Sequence, residues 1–152
     1  MPNISHVINF FAGSSRFKTL KTVSNPYSFE SNGVTFLGTS GQNVEDIIQN
    51  SSLTDPIEVL ECIIRWSHIA PTCPDTLGCF PFKNNDPFVI EKLPHVFFVG
   101  NQKKFAQKLI KLDSKKEVLL ITLPKFSTSS TLILLNLNTL KCEPLVLNFL
   151  DK

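Results

Sequence analysis

The chain has 152 residues, a formal net charge of +2, and 42% apolar against 18% charged residues. That length fits one domain or a piece of one, with enough apolar material for a packed core. The charge is too small to argue nucleic-acid binding, no apolar run approaches the ~18 residues of a membrane span, and Met1-Pro2-Asn3-Ile4-Ser5 does not read as a secretion signal.

In chain order, residues 1 to about 17 have no clear period. Phe10, Phe11 and Phe17 are expected to pack on the core as an irregular opening segment, of the kind that follows earlier structure. Lys18 to Val23 alternates polar and apolar and predicts a strand. Asn25-Pro26 marks a break. Tyr27 to Glu30 and Val34 to Leu37 flank Ser31-Asn32-Gly33, and Asn-Gly between two extended runs predicts a hairpin because both residues accept positive φ. Gly38-Thr39-Ser40-Gly41-Gln42 then reads as a small loop, with Asn43 capping a helix from Val44 and Glu45 and Asp46 in its first turn. The loop could hold a phosphate on backbone N–H groups, or it could simply be a tight strand-to-helix connection.

Asp55-Pro56-Ile57-Glu58 predicts a second helix start, with proline at the first helical position. Ile57, Leu60, Ile63 and Ile64 form one stripe, so an amphipathic helix runs to about Ser67. Trp66 and His68 end it, and His68 reads as a terminal, solvent-touching residue rather than a ligand. Ala70 to Pro94 is a long proline-rich loop carrying Phe80, Phe82 and Phe88. It is either a functional surface or a strap pinned across the core.

Val96 to Val99 is an unbroken run of β-branched and aromatic residues, the pattern of a strand buried on both faces. It ends at Gly100, and Asn101, Gln102, Lys103 and Lys104 follow, where an α/β fold often places its chemistry. Extended segments are expected at Phe105 to Leu112, Glu117 to Leu123, Thr131 to Leu137 and Leu145 to Phe149, with a turn at Asp113 to Lys116. Lys103, Lys104, Lys108, Lys111, Lys115 and Lys116 could touch a phosphate backbone or protect sheet edges. Nucleophile elbows, P-loops and paired-histidine metalloprotease motifs are absent from the sequence. Cys62, Cys73, Cys79 and Cys142 contain no C-x-x-C pair. Cys73 and Cys79 give only a weak metal signal, and free thiols of an intracellular protein fit better. His6, His68 and His95 fall in unrelated contexts.

Three longer runs carry a resemblance. They are Thr22-Val23-Ser24-Asn25-Pro26-Tyr27, Gly33 to Ile47, and His68-Ile69-Ala70-Pro71-Thr72-Cys73-Pro74-Asp75-Thr76-Leu77-Gly78-Cys79-Phe80-Pro81-Phe82. Asp86-Pro87-Phe88, Pro94-His95-Val96, Phe98-Val99-Gly100-Asn101 and Leu123-Pro124-Lys125-Phe126-Ser127 continue it. Together they resemble the small regulatory subunit of eukaryotic DNA polymerase delta, at its C-terminal end. The resemblance implies a mixed α/β (α+β) fold, the C-terminal portion of a calcineurin-like phosphoesterase β-sandwich flanked by helices. On that reading residues 1–152 are one partial domain, without the earlier strands or the oligonucleotide-binding-type barrel of the family.

The resemblance also implies descent from metal-dependent nucleases with a loop histidine and a G-H-x-H after a strand. Ser40 falls at the loop position, while Asn101 and Lys103 replace both histidines of the second motif. Asn binds transition metals poorly and an ammonium repels them, so this half of a phosphodiesterase site reads as dead, with no cofactor. The implied role is a non-catalytic accessory subunit in DNA replication, in the nucleus. It would bridge the C-terminal domain of the polymerase's catalytic subunit and a third subunit, with DNA contact weak or indirect and no membrane involvement. Phe80, Phe82 and Phe88 are the candidate partner anchors. Two alternatives stay open: a metal-dependent phosphoesterase or nuclease completed by ligands elsewhere, and a DNA-binding module using Lys103 to Lys116. A partial domain would also leave sheet edges open and apolar faces exposed, favouring self-association.

Overall fold

The structure is a computed structural model that describes residues 16–113 and 116–148. Within them a five-stranded sheet runs in the order β1-β2-β3-β5-β4 beside a two-stranded ribbon, β6-β7. The strands are β1 (Tyr27–Ser31), β2 (Val34–Thr39), β3 (Val96–Gln102), β4 (Ala106–Asp113), β5 (Lys116–Pro124), β6 (Thr131–Asn136) and β7 (Lys141–Val146). The helices are α1 (Gln42–Gln49), α2 (Pro56–Trp66) and the short α3 (Phe126–Ser129), which no sequence pattern had indicated.

The hairpin forms as its turn chemistry demands, with Asn32 at φ 50° and Gly33 at φ 77° and Ser31 facing Val34. β2, β3 and β5 are mutually parallel, and β1 and β4 close the two edges antiparallel. The apolar runs sort themselves by this order. β3 and β5 are buried on both faces, as parallel interior strands require. β4, which carries Lys108 and Lys111, goes to the edge, where lysines discourage further pairing. Phe97, Val99, Val118 and Leu120 point to the helix side and pack with Val44, Val59, Leu60, Ile63 and Ile64. Phe36, Val96, Leu119 and Ile121 point to the other side, where Cys142, Ile133 and Leu135 of the ribbon cover them. The Gln107 side chain fastens the ribbon to β4, exchanging hydrogen bonds with the Cys142 carbonyl (3.4 Å) and N–H (3.3 Å).

Four expectations are corrected. Lys18 to Val23 forms no strand, and Leu20 and Val23 are 46% and 52% exposed; alternation alone supplies no neighbouring strand for a ladder, and Leu20 N–H bonds the Phe17 carbonyl in a turn instead. Phe17 is 65% exposed rather than packed on the core, and Phe10 and Phe11 lie outside the described residues. Asn43 does not cap α1. Gly41 is the N-cap, and Asn43 is buried inside the helix, accepting from Thr39 Oγ1 (2.9 Å) and donating to the Ile69 carbonyl (2.8 Å). The last strand is Lys141–Val146 rather than 145–149, because the turn at Asn136–Leu140 sets the register of β7 opposite β6; Phe149 lies outside the described residues.

α2 starts as its sequence predicts, with Asp55 Oδ1 accepting from Ile57 N–H (3.1 Å). It ends at Ser67 in the left-handed region, and there the long loop is stitched back. Ile69 N–H donates to the Phe88 carbonyl and Ile90 N–H to the Ser67 carbonyl, both at 2.8 Å. His68 is not merely a terminal residue. Its Nε2 lies 2.9 Å from Asp86 Oδ2, while Asp86 Oδ1 accepts from Phe88 N–H at 2.9 Å. These two bonds, the His68 contact first, hold the Asp86 carboxyl below the ordinary aspartate range. A depressed folded value stabilises the loop above about pH 4, and that stabilisation is lost as pH falls through the folded value. Hydrogen exchange at the Ile69 and Ile90 amides should therefore quicken severalfold in Asp86→Asn at neutral pH, with α2 unaffected. Unchanged exchange at both amides would contradict this account of the loop.

Candidate functional site

Because β2, β3 and β5 run parallel, their C-terminal ends open on the same side of the sheet. In α/β folds that crevice is the usual place for a site. Three connections meet there: Ser40-Gly41 after β2, Gly100-Asn101 at the end of β3, and Lys125 after β5. The β2–α1 connection is the tight one, with Ser40 and Gly41 alone between strand and helix. Gly41 sits at φ 110°, and a Cβ there would lie 2.4 Å from the Gly100 carbonyl oxygen. Asn101 is also left-handed, at φ 57°, and its Nδ2 donates to the Ser40 carbonyl at 2.8 Å. Gln102 is buried; its Nε2 donates to the Gly100 carbonyl and its own carbonyl accepts from Lys125 N–H, both at 3.0 Å.

Asn25 closes the arrangement from the other flank. Its Oδ1 accepts from Ser40 N–H (3.0 Å), and its Nδ2 donates to Ser40 Oγ (2.7 Å) and Gln42 Oε1 (3.1 Å). The Ser40 hydroxyl in turn donates to Gln42 Oε1. A hollow of about 370 Å³ results, lined by Ser40, Gln42, Glu45, Asn101 and Lys125.

The structure thus joins Ser40 and Asn101, while Lys103 stands exposed just past the end of β3, outside the hollow's lining. Sequence spacing could not find Asn25 or Lys125 as members, because each comes from a connection far along the chain from its partner. The donors suit no divalent pair. Two metals need several carboxylates and imidazoles, and the hollow offers amides, a hydroxyl, one ammonium and the Glu45 carboxylate. Among the described residues no group of three or more His, Cys, Asp and Glu stands ready for a metal.

The other candidates lie along the loop. Burial first, then the neighbouring Cys79, pushes the Cys73 thiol up to about 11, which disfavours the thiolate that metals and oxidants require. His95 serves structure at the opposite end of β3, its Nδ1 accepting from Thr35 N–H at 3.0 Å. The three phenylalanines form a ladder from core to solvent. Phe88 packs on the helix-side core, Phe82 meets it edge-on at 6.5 Å, and Phe80 meets Phe82 at 5.1 Å. Phe80 is 69% exposed. All three line a broad groove of about 1570 Å³ between Thr22–Ser28 and the loop.

The fold is thus a mixed sheet flanked by helices, with amides, a hydroxyl, an ammonium and one carboxylate at its strand ends. The family model for DNA polymerase alpha/epsilon B subunits matches residues 1–107, and the chain belongs to that family. It is 45% identical over 135 residues to the DNA polymerase delta small subunit of Arabidopsis thaliana, covering 89% of this chain and 31% of that protein. Identity to the protein of the same name from Oryza sativa subsp. japonica is 44%, covering 89% and 32%. Identity to that of Saccharomyces cerevisiae is 37% over 158 residues, covering 89% and 32%. The chain spans about a third of the length of the curated relatives it matches.

The pinch at Gly41 is testable. Gly41→Ala combines left-handed strain with a backbone clash and should destabilise by at least about 2 kcal/mol, lowering Tm by about 4–8 °C. Gly78 has no positive φ, and a methyl group placed on it would meet no atom within 4 Å, so it is the control. Gly78→Ala should change stability by no more than about 0.5 kcal/mol. Equal melting temperatures for the two variants would contradict the pinch.

Proposed function

We propose that this chain is part of a non-catalytic accessory subunit of DNA polymerase delta, acting as a scaffold in DNA replication in the nucleus. The observation that carries the reading is the donor set at the strand ends. The side chains there form an amide and hydroxyl network, and in this reading, which follows the family resemblance, Ser40, Asn101 and Lys103 stand where related phosphoesterases would carry imidazoles. Such a network holds backbone together and lacks the ligands for hydrolysis. The names of the relatives support the polymerase assignment.

The calcineurin-like sandwich, with residues 1–152 as its C-terminal part, fits the exposed apolar faces. Leu132, Leu134 and Leu145 on the ribbon and Phe29 on β1 are each 39–54% exposed, and the remainder of a longer subunit would cover such surfaces. The partner side is the phenylalanine ladder. An exposed aromatic backed by two others is a rigid anchor for another chain, and in this reading that chain is the C-terminal domain of the catalytic subunit, with a third subunit docking elsewhere.

The test is co-purification with the C-terminal domain of the polymerase catalytic subunit. The native chain should retain it. Phe80→Ala should weaken retention by about tenfold or more, while the melting temperature moves little because Phe80 is largely exposed. Undiminished retention would remove the ladder from the interface, and no retention by the native chain would remove the scaffold reading.

A further inference from the structure

The basic stretch of the sequence is divided by the fold. Lys108 Nζ lies 2.6 Å from Glu61 Oε2, and Lys111 Nζ lies 3.0 Å from Glu117 Oε1. Those two lysines of β4 are already matched to carboxylates. Lys103 and Lys104 lie at the strand-end side instead. There β3 and β5 run parallel with Gln102 opposite Pro124. The next residues on the two strands, Lys103 and Lys125, therefore leave the sheet side by side, on backbones about 5 Å apart. The bond from Lys125 N–H to the Gln102 carbonyl fixes that juxtaposition. The Thr122 hydroxyl holds the Lys104 carbonyl at 2.9 Å, keeping the third lysine beside β5.

All three lysines are exposed, and among the described residues none has a carboxylate partner. Three positive charges on neighbouring backbone positions, without carboxylates to offset them, favour an anion among them. Phe126, directly after Lys125, is 46% exposed. Glu45 shares the lining of the hollow with Lys125, and its carboxylate disfavours an anion inside the hollow itself.

We propose that Lys103, Lys104 and Lys125 bind the phosphodiester backbone of single-stranded nucleic acid, with Phe126 offering a ring face to an unstacked base. An acidic peptide could match the charge, but it would leave the exposed ring without a partner, whereas every base has a π-face. This surface is distinct from the phenylalanine ladder and does not rest on the proposed polymerase role.

The test is fluorescence anisotropy of the full chain with a labelled oligothymidine of about 20 nucleotides. Three phosphate contacts should make binding weaken about 20-fold between about 50 and 200 mM salt. Lys103→Ala with Lys125→Ala should weaken it about tenfold or more, and Phe126→Ala about fivefold or more. Lys108→Ala with Lys111→Ala should leave it unchanged. Absence of binding at low salt, equal loss in the Lys108 and Lys111 variant, or displacement of the oligonucleotide by an equal charge of polyglutamate would each overturn the proposal.

Discussion

The hydrogen bond from Asn101 to the Ser40 carbonyl, beside the close approach of Gly41 to the Gly100 carbonyl, ties the ends of β2 and β3 into one piece. Much of the molecule's layout follows from that tie. It requires two neighbouring left-handed positions, one a glycine and one an asparagine, the residue types that tolerate them. It also sets where α1 begins, since Gly41 is at once the contact point and the N-cap. From there Asn43 reaches the Ile69 carbonyl, so the same corner positions the start of the long loop behind α2.

The chemistry of that corner is cohesive. Asn25, Ser40, Gln42, Asn101 and Gln102 spend their donors and acceptors largely on one another and on nearby backbone. A site for metal-assisted hydrolysis needs the reverse, with negatively charged or imidazole groups aimed at an open point. The amide network holds the strand ends together, with Lys125 at the edge of the hollow and Lys103 just outside it.

Legibility in the sequence followed how local each signal was. Asn32-Gly33 fixes its hairpin through its own φ preferences, and Asp55-Pro56 starts α2 through a cap two residues long, so both were readable. The buried runs at Val96 and Glu117 were readable as interior strands. Their order was not, because placing β5 between β3 and β4 depends on which strand can expose lysines. Lys18 to Val23 misled because alternation describes one strand and says nothing of a partner. Asn43 misled because a polar residue before an apolar face resembles a cap, whereas Gly41 takes that place by conformation. At the site, Ser40 and Asn101 came from the family resemblance, and Asn25 and Lys125 were invisible because the sequence separates them from their partners by 15 and 23 residues. The phenylalanines stand close together in the sequence, yet the fold divides their work: Phe88 packs on the core while Phe80 faces solvent.

The central claim is that the strand-end crevice holds no metal pair. Calorimetric titration of the chain with manganese, followed by a generic phosphodiester, tests it most directly. The account predicts no binding tighter than the millimolar range and no hydrolysis above background. Two tight manganese sites that vanish in Asn101→Ala, together with turnover of the diester, would contradict it.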